Sequence, residues 1–444
     1  MNIFDFNVKE YGNNYPIEKK SNIVIMVFKD SWGEVDGYLP LLVSLKHKYP
    51  KTKIITFFLS NKLVRTIKGN LVLFNEIEKV SELLIYDSHN EEENSDIDNT
   101  HRERPNFKNS LQKSLKGLFP KKLKKYIKKI EMYLKVITKS SGFDKLIRNY
   151  FANEDVRIIL KDHSNDTILN RIIQKKCSKA KVVVYPHGTM IKTHNPNIKG
   201  VSTTESYVDI LVAGYESERD YYKVRFPSIS PNYIGHPKYD SWWLNRDSNL
   251  DFRIPSKLKT IVFFTRGPNE STLSENDYKY LVKSTIETVL GDYNNFLLVK
   301  PHPRQDYSYI SKCLEMHDRS RYLITTTPPS QITRIADLVI TMYSSCILDA
   351  LAQRKPVIEY FLFNTENPQF LRRVNGEKYS IYEHLGVSIN ARNEDELKNL
   401  INDYFNPNRS AIWVNQFDVA KKVLNLENTA TERFLELIIP YMKI

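Results

Sequence analysis

At 444 residues, 41% hydrophobic and 12% aromatic, the chain is too long for one ordinary core, and two or three domains are expected. No stretch approaches the roughly 18 to 20 uninterrupted apolar residues that cross a bilayer, so no membrane-spanning helix is expected. The net charge of +13 is concentrated: residues 113–139 carry ten lysines and one glutamate, leaving +4 for the rest. That is one basic segment rather than a nucleic-acid-binding surface.

The opening MNIFDFNVKEYGNN lacks a basic region followed by an apolar stretch, so no signal peptide is expected. The β-rich run 22–28 predicts a strand, followed by a turn at 30–33. Leu39, Leu42, Val43 and Leu45 give residues 38–48 a helical face, and 53–59 read as a second strand. Strand, turn, helix, strand is the pattern of a parallel α/β sheet. Further strands are predicted at 83–86, 156–160 and 181–185. A second unit repeats the pattern with strands at 260–264, 296–300, 322–325, 338–341 and 356–360. The expected fold is α/β, with two doubly wound Rossmann-like domains facing across a cleft. The first covers 1–215 and the second 216–415, with C-terminal helices over 416–444 packing back on the first. In open α/β sheets ligands bind beyond the carboxyl ends of the strands, so chemistry belongs on the loops that follow them.

A basic insertion at about 88–140 interrupts the first unit. Residues 88–110 read as a mobile loop. In KKLKKYIKKIEMYLKVI, residues Leu123, Ile127, Ile130, Leu134 and Ile137 form one helical stripe with lysines on the other faces. Two readings stay open, a surface helix packed on its own domain and an interfacial helix that adsorbs to anionic lipid. No aromatic-interleaved basic groove accompanies the run, so nucleic acid is not an expected partner. Cys177, Cys313 and Cys346 are isolated, which supports neither a disulfide framework nor a structural zinc site. A reducing cytoplasm is the expected setting.

Candidate chemistry sits where the predicted strands end. In LVKPHPR, His302 lies between two prolines at a strand exit. The prolines fix its direction, and its imidazole can meet a phosphate, a plain turn histidine being the other reading. Lys300 and Arg304 add positive charge on either side. After strand 338–341 the chain turns into a helix, putting Ser344 and Ser345 at a helix N-terminus that favours anions. Ser345 reads equally as a plain N-cap. Thr265 and Arg266 follow strand 260–264 as further phosphate candidates, a surface salt bridge being the other reading. No GxxxxGK(S/T) run is present, which argues against a P-loop enzyme. His187 follows a strand and precedes Gly188, which lets a ligand approach closely; a buried strand-end histidine is the other reading.

The block IADLVITMYSSCILDALAQRKPVIEY resembles the ADLLITDYSSxxFDxAxxxKPxIxY block of the CDP-glycerol glycerophosphotransferase-like family. Related blocks occur in bacterial capsule and surface-polysaccharide glycosyltransferases of GT-B fold. KPHPR is similar to that family's HP motif, YPHGT at 185–189 to its HGT motif, and GHPKYD at 235–240 to its G-x-P-(R/K)-x-D motif. The four stand in family order between Tyr185 and Tyr360. The first 180 residues match only in the general GT-B manner. The resemblance implies a GT-B fold, with an acceptor domain first and a nucleotide-donor domain second. It implies His187 at the active-site cleft as a catalytic base, and His302 with the Ser344–Ser345 turn on the donor's phosphates. Met342 stands where the family has an aspartate, so that carboxylate's role is absent here. In a GT-B cleft the loop DSWGEVD faces the acceptor, where Glu34 or Asp36 could deprotonate a hydroxyl. Asp162 and His163, after strand 156–160, are similarly placed, and a solvated loop is the other reading for each.

The leading expectation is a transferase moving a nucleotide-activated sugar or polyol phosphate onto a surface polysaccharide or teichoic-acid-like acceptor, free or lipid-linked. CDP-, CMP- and UDP-linked donors all fit. No DxD cluster occurs at a convincing strand end, so a metal-independent reaction with no cofactor is expected. The segment 113–139 would hold the enzyme against the inner face of the cell membrane. The alternative is an epimerase similar to the non-hydrolysing UDP-N-acetylglucosamine 2-epimerases, whose acidic pair after the late strand is replaced here by Ser344 and Ser345. A catalytically silent binding module is the third reading.

Overall fold

The computed structural model describes residues 23–28, 32–58, 70–85, 155–162, 177–188, 208–246, 252–268, 273–302, 305–342, 344–362, 371–374, 377–424 and 429–442. The insertion with its basic stripe, His163 and Arg304 lie outside them.

Two parallel sheets organise the chain. The first holds β1 (Ile23–Phe28), β2 (Lys53–Phe58), β3 (Glu82–Ile85), β4 (Val156–Lys161), β5 (Lys181–Val184), β6 (Ile210–Ala213) and β7 (Asn232–Tyr233), in the order β3-β2-β1-β4-β5-β6-β7. The second holds β8 (Lys259–Phe264), β9 (Asn295–Lys300), β10 (Tyr322–Ile324), β11 (Leu338–Thr341) and β12 (Val357–Tyr360). A two-stranded antiparallel hairpin, β13 (Leu371–Val374) with β14 (Glu377–Ser380), precedes the last strand, β15 (Ile389–Ala391). The second sheet runs β10-β9-β8-β11-β12-β15. Both orders reverse once, between β1 and β4 and between β8 and β11, and at such a switch point the loops diverge and open a crevice. The strands are apolar on both faces because helices cover both, as all-parallel sheets require. Ile261, Phe263, Leu297, Val299 and Ile340 serve one side of the second sheet, and Val262, Phe264, Leu298 and Val339 the other.

Four features depart from expectation. The first helix runs over Trp32–Lys48, not from residue 38, so Glu34 and Asp36 sit on its buried opening turns rather than in a loop. Gly33, Gly37 and Pro40 are poor helix formers. The burial of Trp32, Val35, Tyr38, Leu39, Leu42 and Leu45 at helical spacing overrides them. Second, β6 and β7 extend the first sheet to Tyr233, beyond the expected division at 215/216. Third, the C-terminal helices part company. Helix Ile412–Leu424 packs on the second domain through Trp413 and Ala420, and Gln416 exchanges hydrogen bonds with the Val357 backbone. Helix Ala430–Ile438 packs on the first through Phe434, Leu435 and Ile438. Fourth, β13, β14 and β15 were not foreseen.

Candidate functional site

At the carboxyl end of the first sheet, β4 and β5 run in register with Lys161 opposite Val184. Their exits therefore lie side by side, Asp162 following one and Tyr185–Gly188 the other. One oxygen of the fully buried Asp162 carboxylate accepts from the His187 backbone N–H at 2.9 Å and meets its ring Nδ1 at 2.7 Å. A carboxylate at Nδ1 holds the proton there and makes Nε2 the basic nitrogen of the neutral ring. Burial alone would pull the imidazole below its usual value. The Asp162 charge and hydrogen bond, with Glu34 behind them, more than offset this against the opposing Lys238, and the net direction is up. The His187 side chain keeps 27% of its surface exposed.

The turn that carries His187 is clamped from beneath. The Tyr38 hydroxyl donates to the Tyr185 carbonyl at 2.5 Å, and the Tyr185 hydroxyl meets His236 Nδ1 at 2.6 Å. A Cβ at Gly37 would come 3.1 Å from the His187 Cα, a tight approach that a residue without a side chain makes without displacing the turn. A Cβ at Gly188 would meet nothing within 4 Å. Among the described residues, the space beside Gly188 is therefore open.

The second sheet contributes the other wall. Lys300 ends β9 and is buried, and among the described residues its ammonium has neither an ion-pair nor a hydrogen-bond partner. Burial lowers its pKa, with Cys346 and Asp36 acting in the opposite direction. Thr265, after β8, is buried and donates to Gln305 Oε1 at 2.9 Å. The same oxygen accepts from the His302 backbone N–H at 3.3 Å, and Gln305 donates to the Tyr278 hydroxyl. His302 is exposed and Arg266 half-exposed. Ser345 occupies the N-cap position of helix Cys346–Ala352 without a side-chain capping bond, while the Ser344 hydroxyl accepts from the Cys346 N–H at 3.2 Å. Ser344, not Ser345, thus closes that turn. Met342 is fully buried in the second core.

Several residues of the site escaped the sequence reading. Lys238, in the turn Pro237–Tyr239 between the domains, lies 3.4 Å from Asp349 and 3.9 Å from Asp36. Asp349 belongs to helix Cys346–Ala352 of the second domain and Asp36 to the first helix of the first. Burial, eased by Lys238 and reinforced by Asp36, raises the Asp349 carboxyl to about 6. The rest of GHPKYD is structural. Gly235 takes a φ of +86°, a left-handed conformation natural to glycine. Asp240 caps the last helix by accepting from the Ala430 and Thr431 N–H groups at 3.0 and 2.7 Å. The motif itself was the signal; its partners, 111 and 190 residues away, were not legible. Glu34, Asp36, Asp162, His187, Lys238, Lys300 and Asp349 thus gather at the facing strand ends, with Thr265 and Ser344 beside them. Among the described residues no group of three or more metal-ligating side chains converges, and no helix is long and apolar enough to cross a membrane.

No family model matches the chain, and no curated protein matches it. Solved structures do. A UDP-N-acetylglucosamine 2-epimerase from Methanocaldococcus jannaschii is similar at 13% identity over 94% of this chain and 99% of that one, with a TM-score of 0.53. MnaA of S. aureus, solved with UDP, is similar at 11% identity over 95% and 96%, with a TM-score of 0.55. The wall teichoic acid polymerase TagF is similar at 14% identity over 95% and 89%, again with a TM-score of 0.55. Identities this low speak to the fold alone. Together with the two reversing parallel sheets, these likenesses make the fold GT-B, two Rossmann-like domains facing across a cleft.

Proposed function

We propose that the protein is a transferase that moves a nucleotide-activated sugar or polyol phosphate onto a surface polysaccharide or teichoic-acid-like acceptor. The observation that carries this reading is the Asp162–His187 pair, with Nδ1 held at 2.7 Å, set against Lys300 on the opposite wall, buried and without a partner among the described residues. His187 Nε2 takes the proton of an acceptor hydroxyl, and the oxygen attacks the activated carbon or phosphorus of the donor. The bond to the nucleotide breaks, and the leaving phosphate carries off the electron pair. Lys300, the Ser344 turn and His302 meet its charge, so the strongest electrostatic help arrives where charge develops. On this reading no metal is required, and activity is expected to survive EDTA. The likeness to a teichoic acid polymerase and to a UDP-bound protein supports a nucleotide-linked donor, with CDP, CMP and UDP carriers all fitting. We further propose that segment 113–139 brings the enzyme to the inner membrane face, where lipid-linked acceptors reside. Liposome binding that persists after its deletion would remove that part.

An epimerase reading has its own support in the likeness to UDP-N-acetylglucosamine 2-epimerases. Against it stand Ser344 and Ser345 at the position where the acidic pair of those enzymes is expected. Incubating the protein with UDP-N-acetylglucosamine and no acceptor separates the two, since only an epimerase forms an isomer. For the transferase, Lys300→Ala should weaken CDP or UDP binding at least tenfold, with His187→Ala binding them normally but failing to turn over. Undiminished binding by Lys300→Ala would refute the donor-site assignment.

A further inference from the structure

We propose that Lys238 is a positioning residue that holds the two halves of the cleft in register by pairing with one carboxylate from each. The turn Pro237–Tyr239 that carries it belongs to the stretch joining the two sheets. Its ammonium lies over the ring of Tyr239, 4.8 Å from the centroid. From there the ammonium reaches Asp349 at 3.4 Å in the second domain and Asp36 at 3.9 Å in the first. All three side chains are buried. A buried ammonium stripped of its carboxylates is strongly unfavourable, and so are two facing carboxylates stripped of their cation. The three groups are therefore satisfied together only when the halves stand as they do here. Among the described residues Asp36 keeps one further buried oxygen, Oδ1, without a hydrogen-bond partner, and Lys238 is the cation within ion-pair distance of its other oxygen.

Each carboxylate is rigidly tied to one side of the site. Asp36 adjoins Gly37, whose backbone packs on that of His187. Asp349 sits in the first turn of helix Cys346–Ala352, directly after the Ser344 turn. One ammonium thus sets the separation between the histidine on one wall and the Lys300–Ser344 wall on the other. Reacting atoms must approach to about 3 to 3.5 Å, and small errors of placement are expensive in rate. Lys238 also lowers the basicity of His187, opposing Asp162 and Glu34. The catalytic meaning of this bridge rests on the transfer reading; the bridge itself does not.

The test uses the full chain at pH 8, above the raised value of the Asp349 carboxyl, with Lys238→Met and Lys238→Arg. Circular dichroism and thermal unfolding establish folding. Small-angle scattering should show Lys238→Met more open than wild type, with a larger radius of gyration, and Lys238→Arg close to wild type. The His187 ring, followed by NMR, should titrate at higher pH in Lys238→Met and return in Lys238→Arg. A change in stability alone, with scattering and titration as in wild type, would overturn the proposal. If Lys238→Met does not fold, Asp349→Asn removes only the donor-side anchor and should open the cleft in the same way; unchanged scattering there counts equally against it. Failure of the wild type to bind CDP or UDP would instead strike the transfer reading and leave the scattering arm intact.

Discussion

Replacing Asp240 should cost more than its place in a short linker suggests. Its carboxylate is 1% exposed and accepts the two backbone N–H groups that open the last helix, at Ala430 and Thr431. Asp240→Ala leaves both donors buried and unpaired, at roughly 1 to 3 kcal/mol each. Relief of the carboxylate's own burial, which raises its pKa against those hydrogen bonds, offsets part of this. A net loss of about 3 kcal/mol is expected, and Asp240→Asn, whose amide oxygen still accepts, should lose about half as much. The loss is directional. Phe434, Leu435 and Ile438 dock the last helix on the first domain's core, so the first domain's unfolding transition should move, together with amide protection over 430–438. Calorimetry combined with hydrogen exchange reads both. A loss below about 0.5 kcal/mol, typical of a plain surface change, would refute the capping argument. So would full loss with unchanged protection over 430–438.

Three further outcomes follow from the packing. A Cβ at Gly214 would fall 2.3 Å from His236 Nε2, so Gly214→Ala should destabilise by about 1 to 3 kcal/mol, read as a lowered Tm. His187→Ala should retain the fold and lose roughly 10²- to 10⁴-fold in turnover, the usual worth of a general base; Asp162→Asn should move the His187 titration to lower pH, as NMR can follow. Burial raises the Glu359 carboxyl from 4.5 to about 7, against hydrogen bonds from Ser380 and Ser388. A folded-state value above the unfolded one favours the protonated form. The stability it contributes is fully present below about pH 4.5 and lost as pH rises through about 7, on the order of 3 kcal/mol. Denaturation across that window should show the fall in wild type and a flatter profile in Glu359→Gln; identical slopes would count against the burial argument.

The strands were legible because parallel sheets bury both faces and leave runs such as Ile261–Phe264 uninterrupted. What stayed hidden was decided by distant contacts. Gly33 and Gly37 made the start of the first helix look like a loop by local propensity, yet Gly37 lets the helix pass close to the His187 backbone. β7 is only two residues long, too short to stand out from its surroundings, whereas β6 is as long as several strands that were foreseen. His187 and Asp162 were each visible as strand-end polar residues; that they share a hydrogen bond follows from the β4–β5 register. Lys238 was visible in its motif, but nothing near it in sequence announces Asp36 or Asp349. The hairpin Leu371–Val374 with Glu377–Ser380 carries Arg, Glu and Lys side chains, so it lacks the apolar run that marked the central strands.

The separate docking of the two C-terminal helices has a mechanical consequence. The chain passes from the first domain to the second after Tyr233, and returns between Leu424 on the second and Ala430 on the first. Two bodies joined by a single strand swivel freely, whereas two joined at two points rotate most easily about the line through both. Asp240 fastens the outgoing crossing to the returning one, so the two crossings form one axle. An opening of the cleft would therefore run chiefly about that one axle, which would bring the facing walls back to one alignment.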